Sequence, residues 1–226
     1  MTDDTDGTSA AETVTAPSPP RAGHKGWEIA IVVLLGLTAV ATAWSGYQAS
    51  LWDGIQSSNY TEASGARTNA AQQRSAANQL RIVDLGEFEN YIDAAMAGDV
   101  ETAEFYRERF RDEFSVAFDA WLALDPLANP DAPSTPLGVP EYQLAADQNA
   151  DELEAHANEL FTDGENANTY SDVYTLTTLL FAVTLFFGAI AERFEYVRAR
   201  IVLLLIAGIG LVAGVAVAFG QPITTG

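Results

Sequence analysis

The hydrophobic pattern of the chain is set by one run, from Glu141 to Ala191. Within it Ala146, Ala150, Leu153, Ala157, Leu160, Gly164, Ala167, Ser171, Tyr174, Thr178, Phe181, Leu185 and Gly188 follow one another at alternating spacings of four and three. That period is the seam of a single long helix packed on another. The early outer faces are polar, with Asp147, Asp151, Glu152, Glu154 and Glu159, whereas from Val173 onward every face is apolar or small. A helix that keeps its seam while its other faces turn from charged to apolar passes from water into lipid.

Two further apolar blocks complete the picture. The first, residues 27–47, is about 30 Å long as a helix, one bilayer core. Trp27 marks one edge, and Trp44, Tyr47 and Trp52 mark the other, as an aromatic belt does. The Ala41-Thr42-Ala43 triplet also fits the end of a cleaved signal segment, but the residues before the block are too many and too acidic for one. The last block, residues 201–219, contains Gly210 and Gly214, a GxxxG pair suited to close helix packing. The expected fold is therefore an all-α integral membrane protein. Its three transmembrane helices are 27–47, 174–194 and 201–219, with a short cytoplasmic turn at 195–200, an N-terminal disordered tail at 1–26 and an external tail at 220–226.

Between the first two spans the helical pattern continues. Ala63, Ala66, Ala70, Gln73, Ala77 and Leu80 form a second seam, built almost wholly of alanine. Gly54, Gly65 and Gly86 weaken that helix, Gly86 being the expected kink. Gly98 and Asp99 read as the end of one helix and the N-cap of the next. The external domain, 48–173, is thus expected to hold helices at about 48–97, 99–124 and 141–173. The second has an aromatic face of Tyr106, Phe110, Phe114 and Trp121 and a charged, solvated face that includes Arg107, Arg109, Arg111 and Glu113, with Arg109 paired to Glu113. Five prolines make 125–140 a loop.

The two seams predict an antiparallel stalk. With Tyr47 and Tyr174 at the same membrane level, residues at equal height have numbers summing to about 221. Heptad phase then places Arg67 beside Glu154, Arg74 beside Asp147, Arg81 beside Glu141, and Glu62 near His156.

Charge adds orientation. Between Asp53 and Asp172 there are 24 acids and six arginines, so that most of the formal net charge of -20 lies in the middle segment. Arg21 and Lys25 flank the first span, and Arg193, Arg198 and Arg200 lie between the other two, which puts the N-terminus in the cytoplasm and the acidic domain outside. Lys25 is the only lysine, an acid-rich, lysine-poor balance that suits high salt and makes nucleic acid a poor partner.

Chemistry-bearing patterns are few. There is no cysteine. The only histidines, His24 and His156, have no metal-ligand spacing around them, and the carboxylates Asp151, Glu154, Glu159 and Asp163 read as a hydrated face rather than a calcium site. Asn59-Tyr60-Thr61 is a glycosylation tripeptide. The spans carry no ionisable residue away from their edges, and Thr38, Thr42, Thr175, Thr178 and Thr184 read as helix–helix hydrogen-bonding groups or, in a channel, as pore lining. No enzyme, cofactor or metal is expected.

Four stretches carry a resemblance: Ala41-Thr-Ala-Trp-Ser-Gly-Tyr-Gln48, Phe105 to Trp121, Asn129-Pro-Asp-Ala-Pro-Ser-Thr-Pro136 and Pro140-Glu-Tyr-Gln143. With the layout of spans, the chain resembles a family of uncharacterised prokaryotic three-span membrane proteins with an external helical hairpin domain. The resemblance implies a fold and a prokaryotic setting and brings no functional residues. The expected role is structural or interactive, through the stalk and self-association or a membrane partner protein. An external solute or cation sensor, or an accessory subunit of a channel or transducer complex, is the alternative.

Overall fold

A computed structural model of the chain describes residues 25–225. The expected tail at 1–26 lies outside them except for its last two residues, which open the first helix. Five α-helices follow in order: α1 (Lys25–Met96), α2 (Val100–Arg107), α3 (Asp112–Leu122), α4 (Ala145–Arg193) and α5 (Val197–Phe219). A short 3-10 turn at Pro136–Gly138 interrupts the loop before α4. No strand occurs among the described residues. Three of the helices, α1, α4 and α5, are long and apolar enough to cross a membrane.

The helices divide between two compact units. One takes the described residues up to Trp44 with Thr177–Val217; the other takes Ser45–Leu176 and the described residues from Ala218 on. In the first, Ile31, Thr38, Phe181, Thr184 and Ala207 are buried, while Val32, Leu37, Val40, Phe186, Ile209 and Val212 are all more than half exposed. An outer surface made of such side chains is stable in hydrocarbon, not in water. Gly210 and Gly214 lie against α4. A Cβ at Gly210 would stand 2.5 Å from the Thr184 hydroxyl oxygen, and one at Gly214 would stand 2.4 Å from the Phe181 ring. The GxxxG pair is thus used within the chain. The hydroxyls of Thr38, Thr42 and Thr184 donate to carbonyls one turn back, Leu34, Thr38 and Leu180. These three are not the helix–helix hydrogen bonds expected of them; back-bonding satisfies a hydroxyl locally without a partner helix.

In the second unit the α1 segment and the α4 segment run antiparallel: Gln56 meets Asn168 near one end and Arg81 meets Asp147 near the other. No residue of either predicted seam is fully exposed. Alanine at Ala63, Ala66, Ala70, Ala77, Ala150 and Ala157 lets the two helices approach closely, and all six are buried. The helix continues through Gly54, Gly65 and Gly86 without a break. It ends at Gly98, whose φ of 78° allows the Asp99 N–H to reach the Ala94 carbonyl at 3.0 Å. The Asp99 carboxylate then caps α2 by accepting from the Thr102 N–H at 3.0 Å.

The expected single helix at 99–124 is two. The chain leaves helical geometry after Arg107 and re-enters it at Asp112, with Arg111 extended at φ -63°, ψ 150°. The break turns Arg111 away from the solvated face assigned to it and towards α1. Arg109 then does not pair with Glu113; its guanidinium lies over the Phe105 ring at 3.5 Å.

Around this break the unit forms an aromatic core, from Phe88, Phe110, Phe114, Ala117, Phe118, Trp121 and Val139. Rings meet edge to face, Phe88 with Trp121 at 5.1 Å and Tyr91 with Phe118 at 4.9 Å. The Trp121 indole N–H donates to the Pro133 carbonyl at 2.6 Å, which ties the proline loop over the core. Phe114→Ala should destabilise this unit by about 3–4 kcal/mol, since it empties a site with no exposed surface. Chemical denaturation followed by tryptophan fluorescence measures it; a loss below about 1 kcal/mol would place Phe114 outside the core.

Candidate functional site

The second unit holds a buried ionic junction. Heptad counting shows where it comes from. After Ala77 and Leu80, the next two seam positions of α1 are Asp84 and Glu87. Asp84 has no exposed surface. A buried carboxylate must be paired and hydrogen-bonded to stay charged. Arg111 supplies a bidentate pair, Nε to Oδ1 at 3.0 Å and Nη2 to Oδ2 at 2.7 Å, and the Tyr142 hydroxyl donates to Oδ2 at 2.7 Å. Burial and then the bond to Asp84 push the Tyr142 phenol above its ordinary value, so that it remains a donor.

The junction reaches further through Glu113. Its Oε2 accepts from Arg111, and its Oε1 accepts from the Ala145 N–H at 3.1 Å, at the first turn of α4. That backbone bond, and then Arg111, hold the Glu113 carboxyl below the usual glutamate range. One arginine thus joins the C-terminal part of α1 to the α2–α3 break and, through Glu113, to the start of α4. Glu87 is the unmatched member. Its Oε2 is buried without a hydrogen-bond partner. Burial, and then the Asp84 charge, raise its carboxyl above the ordinary glutamate value, with Arg111 opposing. Apart from Glu87, the network's groups are carboxylates, a guanidinium and a phenol that satisfy one another, an arrangement suited to holding three elements together.

The predicted stalk pairs are rearranged. Arg74 reaches Glu154 at 2.7 Å and Asp151 at 2.8 Å, and Arg81 pairs with Asp147. Each arginine has thus taken the acid, or a neighbour of the acid, expected one heptad earlier. Arg67 donates to the Asn158 side chain at 3.3 Å and lies over the Phe161 ring at 5.1 Å. Glu62 accepts from Ser58 at 3.3 Å rather than meeting His156, which is exposed, as is Glu141. The reason is side-chain direction. Short contacts such as Trp52 with Tyr170, and Tyr60 with Gly164, have residue numbers that sum to about 222–224, close to the height rule. Long side chains lean toward the N-terminus of their own helix. In an antiparallel pair both partners lean toward the same level, so tips meet between residues whose α-carbons lie further apart. No group of three or more His, Cys, Asp or Glu fit to hold a metal occurs among the described residues.

At the other end of this unit the C-terminal segment is clasped between α1 and α4. The Gln48 side chain, 2% exposed, donates to the Thr224 carbonyl at 2.9 Å and accepts from the Thr224 N–H at 3.1 Å. The Trp52 indole and the Tyr174 hydroxyl both donate to the Pro222 carbonyl, at 3.2 and 3.1 Å. Beneath the clasp, Ser171 donates to Asp53 at 2.6 Å, and Trp52 packs on Tyr170 at 4.8 Å. The expected tail at 220–226 is thus held to α1 and α4 at Pro222 and Thr224. The polar Ser171 on the α4 seam, and Gln48 just past the first apolar block, were the available signal.

The chain matches no family model, no curated protein and no solved structure. The family resemblance drawn from its motifs is therefore carried no further.

Two outcomes test the junction. Arg111→Ala leaves Asp84 buried and unpaired and should cost about 3–5 kcal/mol, and Arg111→Lys should not restore it, because an ammonium cannot make the bidentate pair. Denaturation curves of the two variants measure both. Glu87 binds its proton more tightly folded than unfolded, so its contribution to stability is present at low pH and lost as pH rises through the raised value. Glu87→Gln should therefore be more stable than the parent at neutral pH, with the difference closing in acid. Paired thermal melts across pH 4–8 (about four units, upward from near the ordinary value) read this directly, and a constant difference would remove Glu87 from the linkage.

Proposed function

We propose that this is a non-enzymatic membrane protein whose acidic helical unit lies outside the membrane as an antiparallel stalk and acts through self-association. The N-terminus is cytoplasmic in this reading. Arg21 and Lys25 on one flank, and Arg193, Arg198 and Arg200 on the turn between α4 and α5, support that orientation.

The observation that carries the reading is an apolar patch on an otherwise acid-rich unit. Leu127 is 88% exposed and lines one cleft of about 310 Å³ with Ile92, Phe88 and Trp121. Met96, one helical turn beyond Ile92, and Val100 are 74% and 77% exposed. Water does not favour exposed large apolar groups, and on a soluble face they mark a contact surface. The long α1–α4 pairing adds a second argument. Alanine seams bury little apolar area per residue, so the pair gains from further partners.

Leu127→Glu should shift the protein in native membranes from a crosslinked oligomer toward monomer while leaving its melting temperature within a few degrees. An unchanged oligomer would remove the patch from the interface, and a monomeric parent protein would overturn self-association itself. For orientation, a cysteine at Ser134 should react with an impermeant thiol reagent in intact cells and one at Glu195 should not. The opposite labelling would invert the assignment.

A further inference from the structure

Every arginine of the second unit has a partner. Arg74, Arg81, Arg107 and Arg111 pair with acids, Arg67 meets Asn158 and the Phe161 ring, and Arg109 meets the Phe105 carbonyl and ring. The three arginines of the first unit differ. Among the described residues, Arg193, Arg198 and Arg200 form no ion pair. Glu195 stands three residues before Arg198, a pairing distance on a helix, but residues 194–196 are not helical. Arg200 donates from Nη2 to the Phe194 carbonyl at 2.8 Å, which closes the turn between α4 and α5, and its Nε is buried without a partner. Arg193 and Arg198, the last residue of α4 and the second of α5, are exposed.

This turn stands where a membrane surface must be, because it joins two helices that are each apolar enough to span. The start of α1 reaches the same level. A Cβ on Gly188 would stand 2.9 Å from the Leu35 side chain. Trp27, eight residues before Leu35, is then level with the turn, about eight residues past Gly188. Trp27, Phe194 and Tyr196 are 43%, 41% and 80% exposed. Exposed aromatic rings at one level mark the headgroup region.

We propose that Arg193 and Arg198 hold the phosphate of an anionic phospholipid at this turn, with Phe194 and Tyr196 seated among the headgroups. A guanidinium is a forked, permanently charged donor that matches phosphate geometry. At this depth a lipid headgroup is the anion present at high local concentration. Arg200 acts by holding the turn closed through its bond to the Phe194 carbonyl. Glu28, Glu192 and Glu195 are the exposed acids of the same region. They keep the turn from attracting anions broadly, so that binding depends on the two guanidinium forks rather than on net charge. The inference is independent of self-association. It needs α4 and α5 to span the membrane and does not depend on which side the turn faces.

The test uses the full chain purified in an uncharged detergent. It is titrated with phosphatidylglycerol and, separately, with phosphatidylcholine, and bound lipid is counted by native mass spectrometry. Phosphatidylglycerol should be retained several-fold over phosphatidylcholine. The double variant Arg193→Gln, Arg198→Gln should weaken phosphatidylglycerol binding about tenfold, as loss of charge-assisted bonds predicts, and leave phosphatidylcholine unmoved. The control Arg67→Gln, Arg74→Gln, in the second unit, should change neither. Lysine at positions 193 and 198 keeps the charge and loses the fork, so it should bind between parent and glutamine variant; full parental affinity would overturn the forked contact. A parent that holds both lipids equally, or a preference that survives the glutamine pair, overturns the site. Release of phosphatidylglycerol by inorganic phosphate, beyond that caused by chloride at equal ionic strength, overturns the lipid as occupant in favour of a free anion. A glutamine pair that fails to fold is replaced by Arg198→Gln alone, read against the same two lipids.

Discussion

A charge buried in a helix seam is the constraint on which the second unit depends. Asp84 occupies a position where its predecessors on α1 are alanines, and it has no exposed surface. Water is not available to it, so the fold must deliver cationic and hydroxyl donors from elsewhere in the chain. Arg111 and Tyr142 are those donors. Bringing Arg111 inward requires the chain to leave helical geometry between α2 and α3; there Phe110 meets Tyr91, while beyond the break Phe118 meets both Phe88 and Tyr91. The aromatic core and the ionic junction therefore meet at one place, the break between α2 and α3.

Removing the pair altogether would have a different effect from removing one half. A buried ion pair is often no more stable than a well-packed apolar replacement. Its role here is better understood as selection of a single arrangement. Rings of similar size allow several packings of α3 on α1, and a bidentate guanidinium admits one.

Much of this was legible in the sequence. Both seams were, because alanine and leucine at three-four spacing have no other use in so long a run. The cap at Asp99 and the burial of Phe114 followed from local rules. The break at Glu108–Arg111 did not, because the aromatic and charged residues there fit an unbroken amphipathic helix just as well. What was available was the continuation of the α1 seam to Asp84 and Glu87, two carboxylates at positions that elsewhere take alanine, glutamine or leucine. The partner shifts of Arg74 and Arg81 were lost for a geometric reason. Heights were reckoned at α-carbons, and arginine acts several ångströms from its own.

The close approach at Tyr60 and Gly164 has a consequence for how such a chain can diverge. A Cβ on Gly164 would stand 2.4 Å from the Tyr60 ring, and the alanines above it are buried with little room to spare. The ion pairs of Arg74 and Arg81, by contrast, are made by half-exposed arginine side chains, Arg74 with two acids in reach, and salt screens them. Substitution is therefore tolerated along the charged edges and refused along the small-residue stripe. Related chains are expected to share a spacing of small side chains far better than they share any charged residue. Comparison by overall identity would miss such a relationship, while comparison by the volume allowed at each seam position would find it.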